Sequence, residues 1–327
     1  MKTRFLLFAV TLVLLFGCGD SVEKKQATGF TQGTTYKVVY YSNGADLQYQ
    51  IDSLLLSFDR VLSTYQQSSY ISKWNRNEHN EQEQPQLFKT QLKRAIELNK
   101  LTQGTFDITV SPLMEYWFTN NWESTKIDSA TVDSLMKNVG MKFVVMKNGN
   151  YIKTNPNVRL DVNAVAQGFS VDVLSLYLQS QGIFNYLVEV GGEVRVNGTK
   201  PNEEPWKVGI DRPSDDGNLE HELALTVELK NRSLATSGNY RKFVEIDGQK
   251  FGHSLNPQTG YPAKTDILSA TIIADDCLTA DALATACMVM GFEKAKKFVE
   301  ATPEVDAVFI YTDSEGVKTW RSKRSIQ

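Results

Sequence analysis

Residues 185–197 read NYLVEVGGEVRVN: two β-rich runs, YLVEV and EVRVN, on either side of the pair Gly191-Gly192. From Asn185 onward the chain is strand-rich, with further runs in WKVGI, ELALTVEL, FVEID, QKFGHSL and LSATIIA. Upstream, Phe30 to Tyr41 alternates as a strand, and Leu47 to Thr64 carries a helical stripe of Leu47, Ile51, Leu54, Leu55, Phe58, Val61 and Leu62. Residues 75–86 are a polar loop, Leu87 to Leu101 is helical, and residues 127–139 form a short helix. Lys142 to Lys153 reads as a hairpin through Asn148-Gly149. A strand over Val158–Val162 is expected to run into a helix from about Ala164 to Gln181, ended by Gly182. The last elements are a helix from Thr279 to Met290, a helix over 292–301 and the hairpin VDAVFIYT/VKTW. There is no internal repeat, no linker dividing the chain and no regular βαβ alternation. This pattern predicts an α+β protein, one large mixed domain.

Of 327 residues, 35 are Lys or Arg and 38 Asp or Glu, a formal charge of −3. Nothing in that balance serves to neutralise a polyanion, so nucleic acid is not an expected partner. With 41% hydrophobic and 22% charged residues the chain is neither disordered nor fibrous. Three cysteines cannot build a disulfide framework or a four-Cys zinc site, so a metal must be held by oxygen or His. Residues 1–17 begin with Lys2 and Arg4 and continue in an apolar run from Phe5 to Phe16, too short to span a bilayer, which reads as a signal peptide. Leu15-Phe16-Gly17-Cys18 is similar to a bacterial lipobox, with Cys18 as the lipidated residue. Cleavage there would remove two cations and take the charge to −5. Residues 18–28 are expected to be anchor and polar linker, and 29–327 the folded domain. Cys277 and Cys287 sit in or beside an apolar, Ala-rich segment and read as buried free thiols.

Five segments carry chemistry. Leu160 to Phe169 places Asp161 where a strand is expected to enter a helix, a junction that suits a phosphate or merely an N-cap. Gly191-Gly192 allows close backbone approach to a ligand, or makes a bulge. Ala235 to Arg241, ATSGNYR, reads as a turn able to bind an anion, or as an ordinary Ser/Thr turn. Gly252 to Pro262 holds His253, the one histidine of three beside a Pro/Gly-constrained turn, placed for proton transfer or for structure. Asp281 and Thr285 are one helical turn apart in ADALATA and can offer two oxygens to a hard cation; alternatively Asp281 favours the helix start and Thr285 packs.

Taken in order, these segments resemble the FAD:protein FMN transferases, the ApbE-type flavin transferases, over nearly the whole mature chain. The resemblance also covers Thr31-Gln32-Gly33-Thr34, Leu62-Ser63-Thr64-Tyr65, Ser72-Lys73-Trp74-Asn75 and Gly104 to Leu113. It implies a T-fold-related domain with antiparallel sheets packed by helices. It also implies Mg²⁺-dependent cleavage of FAD, with transfer of FMN to a Thr or Ser hydroxyl and release of AMP. By the same resemblance Asp281, Thr285 and the Ala164 carbonyl would hold the metal, and Asp281 with His253 would serve catalysis. Gln32, Tyr65, Thr105, Phe106, Asp107, Asp161, Gln167, Ser254 and Leu255 would line the FAD site. The partners implied are flavin-carrying subunits of membrane electron-transfer complexes, and the implied location is the periplasmic side of the inner membrane, held by lipid. The sequence departs from the family pattern at Gln32 in place of Met, Gln167 in place of Lys or Glu, and Gln258 in place of Arg. Two other expectations use the same segments: an FAD pyrophosphatase that hands FMN to water, and a flavin-binding lipoprotein without turnover.

Overall fold

A computed structural model describes residues 22–80, 83–118, 128–212, 223–238, 243–246, 249–252 and 254–322. Its centre is an eight-stranded sheet in which every neighbouring pair is antiparallel. The strands are β1 (Glu23–Thr31), β2 (Thr34–Ser42), β5 (Tyr186–Val190), β6 (Glu193–Asn197), β9 (Ser233–Gly238), β12 (Ile267–Ala274), β13 (Asp306–Asp313) and β14 (Gly316–Arg321), lying side by side in that order. Hairpins join the outer strands, so β1 is one edge and β14 the other.

The sheet separates two apolar layers because side chains alternate along each strand. On one face lie Val188, Val190, Ala235, Ala270, Ile272, Ala307 and Phe309, covered by α6 (Ala166–Ser180) and α7 (Cys277–Met290). Both helices are apolar around most of their circumference, as fits helices buried on more than one side. Outside them pack α1 (Gln48–Leu62), α3 (Gln86–Leu101) and α8 (Phe292–Ala301). On the opposite face Val194, Val196, Leu234, Ile273 and Val308 meet Trp206, Val208, Ile210, Val227 and Leu229 of the hairpin β7 (Trp206–Asp211)/β8 (Leu223–Leu229). A satellite cluster of Leu113, Trp117, Val132, Val139 and Leu255 joins α4 (Ser111–Phe118) and α5 (Ser129–Met136) to the loop around Leu255.

The helices anticipated at Leu47–Thr64, Leu87–Leu101, 127–139 and 292–301 are α1, α3, α5 and α8, and the Asn148-Gly149 hairpin is β3 (Val144–Lys147)/β4 (Asn150–Lys153). Cys277 and Cys287 are buried free thiols.

Four expectations are corrected. The strand read over Phe30 to Tyr41 is broken by a turn at Gln32-Gly33, with Phe30 and Thr31 ending β1 and Thr34 to Tyr41 lying in β2. The stretch Ser21–Thr28 is not a linker from Glu23 onward, because it forms β1 and pairs with β2 along its whole length. Only Ala27 and Thr31 of that strand are buried, so an edge strand reads as polar linker. The strand over Val158–Val162 is absent. Val158, Leu160 and Val162 are buried, but the backbone of Leu160 is held by a side chain: its N–H donates to Asn75 Oδ1 at 2.8 Å and its carbonyl accepts from Asn75 Nδ2 at 2.9 Å. The remaining ladder is one bridge between Arg159 and Val110. Finally, Ala235–Gly238 is part of β9 in the middle of the sheet, not a turn. Its hydroxyls find partners on neighbouring elements, Thr236 with Thr271 of β12 at 2.9 Å and Ser237 with Thr285 of α7 at 3.3 Å.

Asp172 fastens the inner layer. It projects from α6, accepts the Cys277 and Leu278 N–H groups at 3.0 and 2.9 Å, and pairs with Arg195 of β6 at 2.5 Å. One carboxylate thereby caps α7 and ties two helices to the sheet. Burial raises its pKa and the Arg195 charge opposes that rise. Asp172→Asn keeps the shape and removes the charge that both donors and Arg195 need. We expect a loss of about 3 kcal/mol in urea unfolding, within the range for breaking a buried pair, with unfolding still cooperative.

Candidate active site

The two inner helices touch at Gly168. A Cβ there would lie 2.5 Å from the Cys277 carbonyl oxygen and 2.9 Å from Asp281 Cβ, so only glycine permits the approach. The approach lets the Gly168 N–H donate to Asp281 Oδ2 at 3.1 Å. In a longer helix that N–H would be directed to the Ala164 carbonyl four residues earlier. Directed to Asp281 instead, it leaves that carbonyl to another partner. Asp281 is 6% exposed, and burial pushes its pKa up to about 8, with the Gly168 bond pulling the other way. Thr285, one turn on, faces the sheet, with its hydroxyl 3.3 Å from Ser237 Oγ of β9. Among the described residues no three His, Cys, Asp or Glu side chains assemble a metal cage. A cation here would be held by carboxylate, hydroxyl and carbonyl oxygen, the donor set that suits Mg²⁺. The fit is supported by a buried carboxylate with one oxygen bonded by protein and by the spared Ala164 carbonyl.

The turns of two hairpins close over the start of α6. Gln32-Gly33 links β1 to β2 and Gly191-Gly192 links β5 to β6. A Cβ on Gly191 would lie 2.6 Å from Gln167 Nε2 and 2.9 Å from the Thr34 methyl, and its φ of 65° is itself unfavourable for other residues. Gln32 also has φ of 50°, and neither polar atom of its buried amide has a hydrogen-bond partner. An unpartnered amide at the rim is a group ready for a ligand. Gln32, Gln167, Ala164, Asp281 and Thr285 are thus brought to one end of the sheet.

Beside them Asp161 accepts the Asn163 N–H at 2.8 Å, and burial raises its carboxyl. Asn163 reaches the Tyr65 hydroxyl at 3.4 Å, and the Tyr65 ring is 81% exposed, an open aromatic surface. The Asp161 N–H donates to the Ile108 carbonyl at 2.7 Å, joining this wall to the Thr105–Thr109 loop. There the expected roles divide. Thr105 Oγ1 donates to the Thr102 carbonyl at 2.9 Å, so its hydroxyl shapes the turn. Phe106 is 2% exposed and packs in the main core. Both oxygens of Asp107 are engaged, by Thr109 N and Oγ1, Met141 N and Asn99 Nδ2 at 2.6 to 3.3 Å. Phe106 and Asp107 therefore hold the loop from within, while burial raises the Asp107 carboxyl against those donors.

The Ser254–Pro262 segment is the next wall. Leu255 is buried in the satellite cluster, the Ala263 N–H donates to the Ser254 carbonyl at 2.8 Å, and Trp117 Nε1 donates to the Gly260 carbonyl at 2.8 Å. Gln258 Nε2 donates to the Gln103 carbonyl at 2.8 Å, binding this segment to the Thr105 loop through the residue that departs from the family pattern. His253, Arg241 and Cys18 lie outside the described residues.

One further buried carboxylate, Glu193, is not singled out by the sequence. It opens β6 directly after Gly192 and is 7% exposed, with Oε2 lacking any partner. Burial raises its carboxyl and the charge of Asp281 raises it further. A glutamate within a buried strand, next to a paired-glycine turn, is the signal that could have found it.

The fold is that of a single α+β protein, and its rim brings together a buried carboxylate, two glycine turns and an open tyrosine. The sequence profile of the ApbE family matches residues 32–309, and the chain belongs to that family. A protein of Vibrio cholerae named FAD:protein FMN transferase is 34% identical, over 98% of this chain and 97% of its own length. The protein of the same name in Escherichia coli K12 is 30% identical, over 98% and 95%. Among solved structures, the Vibrio cholerae flavin transferase ApbE superposes with a TM-score of 0.80 at 33% identity, covering 92% of this chain and 98% of that one. The apo Pseudomonas stutzeri flavinyl transferase ApbE also gives 0.80, at 28% identity, over 93% and 96%.

Gly168→Ala tests the helix contact. Overpacking against backbone should cost about 1–3 kcal/mol in denaturant unfolding, and the variant should bind Mg²⁺ more weakly by calorimetry, because Asp281 must move with the new methyl.

Proposed function

We propose that this chain transfers FMN from FAD to a Thr or Ser hydroxyl of a target protein, releasing AMP. The observation that carries the reading is Asp281: buried, oriented by the Gly168 N–H, and one turn from Thr285 at the rim where the family segments converge. In the reaction the acceptor oxygen forms a bond to the phosphorus of the FMN half. The bond from that phosphorus to the bridging oxygen breaks, AMP leaves with that oxygen, and the hydroxyl proton goes to a base. Asp281, Thr285 and the Ala164 carbonyl would hold Mg²⁺, which would supply positive charge against the phosphoryl oxygens.

The chain's own residues do the rest. Tyr65 offers a face for a flat aromatic ring, and Asp161 and Gln32 offer polar atoms beside it. Gln167 and the glycine turn bring backbone close to the ligand with no added charge. Thr105, Phe106 and Asp107 keep the adjoining loop in shape, and Ser254 and Leu255 anchor the wall that leads to His253, to which we assign proton transfer. Cys18 is the proposed lipid attachment, placing the domain on the periplasmic side of the inner membrane facing flavin-carrying subunits of electron-transfer complexes. No helix among the described residues is long and apolar enough to cross a membrane.

Two experiments test this reading. With FAD, Mg²⁺ and a candidate acceptor, AMP should appear together with FMN covalently bound to the acceptor by mass spectrometry, and Asp281→Ala should reduce both by at least about a hundredfold. Free FMN with an unmodified acceptor would instead indicate a pyrophosphatase, and retained FAD without AMP a binding protein. Separately, Cys18→Ser should move the protein from the membrane to the soluble fraction of expressing cells.

A further inference from the structure

We propose that Glu193 is part of the cation subsite, adding a second carboxylate charge from the sheet side opposite Asp281. The proposal rests on the reading of Asp281 as a metal ligand and extends it to a residue on a different element.

The strand register fixes where Glu193 points. Arg195, two residues on, reaches Asp172 of α6, so the odd-numbered positions at this end of β6 face the helices. Val194 and Val196 lie on the other face, against β7 and β8. Glu193 therefore projects towards the layer that holds Asp281. It is more than nine-tenths buried, and its Oε2 has no hydrogen-bond donor. The nearest cation on its own strand, Arg195, is paired with Asp172, whose oxygens also cap α7. Two carboxylates facing each other in a buried space, one with an unpaired oxygen, raise the energy of the protein unless a positive charge joins them. A hard cation bound at Asp281 would let both carboxylates ionise and turn that cost into attraction. Glu189, the other nearby carboxylate, is not available in this way, because its Oε1 accepts the Gly192 N–H at 3.0 Å and so stabilises the turn.

The test is Mn²⁺ binding followed by electron paramagnetic resonance of the free ion, in the absence of FAD, on the wild type, Glu193→Gln, Glu193→Asp and Asp281→Ala. Melting temperatures of the metal-free proteins accompany it. Glu193→Gln should weaken Mn²⁺ binding roughly tenfold or more, while the metal-free variant melts close to the wild-type temperature because the amide has the shape of the protonated carboxyl and Glu193 Oε2 gives up no partner. Glu193→Asp keeps the charge at shorter reach and should fall between wild type and Gln; if the Gln variant does not fold, a weakened Asp variant supports the proposal and an unweakened one overturns it. Wild-type affinity in both Glu193 variants, with Asp281→Ala impaired, overturns the proposal and leaves the Asp281 site standing. Unchanged affinity in Asp281→Ala overturns the site reading itself, and the proposal with it.

Discussion

The close approach of α6 to α7 at Gly168 is the constraint on which the rest depends. Without a Cβ the helices come within backbone distance, and the N–H at the start of α6 becomes a donor to a carboxylate on α7. That one bond does two things: it fixes the rotamer of a buried aspartate, and it withdraws a donor from the Ala164 carbonyl. Asp172 reinforces the geometry from four residues further along α6 by capping α7 and holding Arg195 of β6. Helix, helix and sheet are thus locked in register, and the acidic end of α7 is held against the two glycine-turn hairpins.

A rim built this way suits a diphosphate although the chain is acidic overall. Charge recognition need not come from surface lysines when a buried carboxylate recruits a divalent cation and glycine turns allow backbone to approach. The glutamines at 32, 167 and 258 fit that division of labour. Gln258 ties two walls together, Gln167 packs over Gly191, and Gln32 presents an unpartnered amide. None carries a charge, so electrostatic attraction for a diphosphate would have to come from a cation held at Asp281 and Thr285.

Much of this was legible in the sequence because long periodic segments impose their own structure. The stripes of α1 and α3, the Asn148-Gly149 hairpin and the alternating C-terminal strands needed no tertiary information. The misreadings share a physical cause: a partner elsewhere in the fold overrode the local pattern. β1 is polar because it is an edge strand, yet β2 pairs with it fully. Residues 158–162 alternate like a strand, yet the Asn75 amide takes the Leu160 backbone groups that a partner strand would need. β9 is composed like a turn, but β6 and β12 flank it and the Thr236 hydroxyl bonds to Thr271 of β12. The short helices α2 (Tyr70–Asn75) and α4 were not anticipated, being too brief for a periodic stripe. At the site, the motifs give residue types and order but not burial or partners, so the packing of Phe106 in the core and the four donors on Asp107 had to come from the fold.

The central claim is that one divalent cation sits between the start of α6 and the acidic face of α7. Anomalous diffraction from a crystal soaked in Mn²⁺, standing in for Mg²⁺, tests it most directly. The account predicts a peak bonded to the Asp281 carboxylate, the Thr285 hydroxyl and the Ala164 carbonyl, at about 2.1–2.2 Å. A peak elsewhere, or an Asp281 carboxylate still bonded only to Gly168 at saturating Mn²⁺, would contradict it.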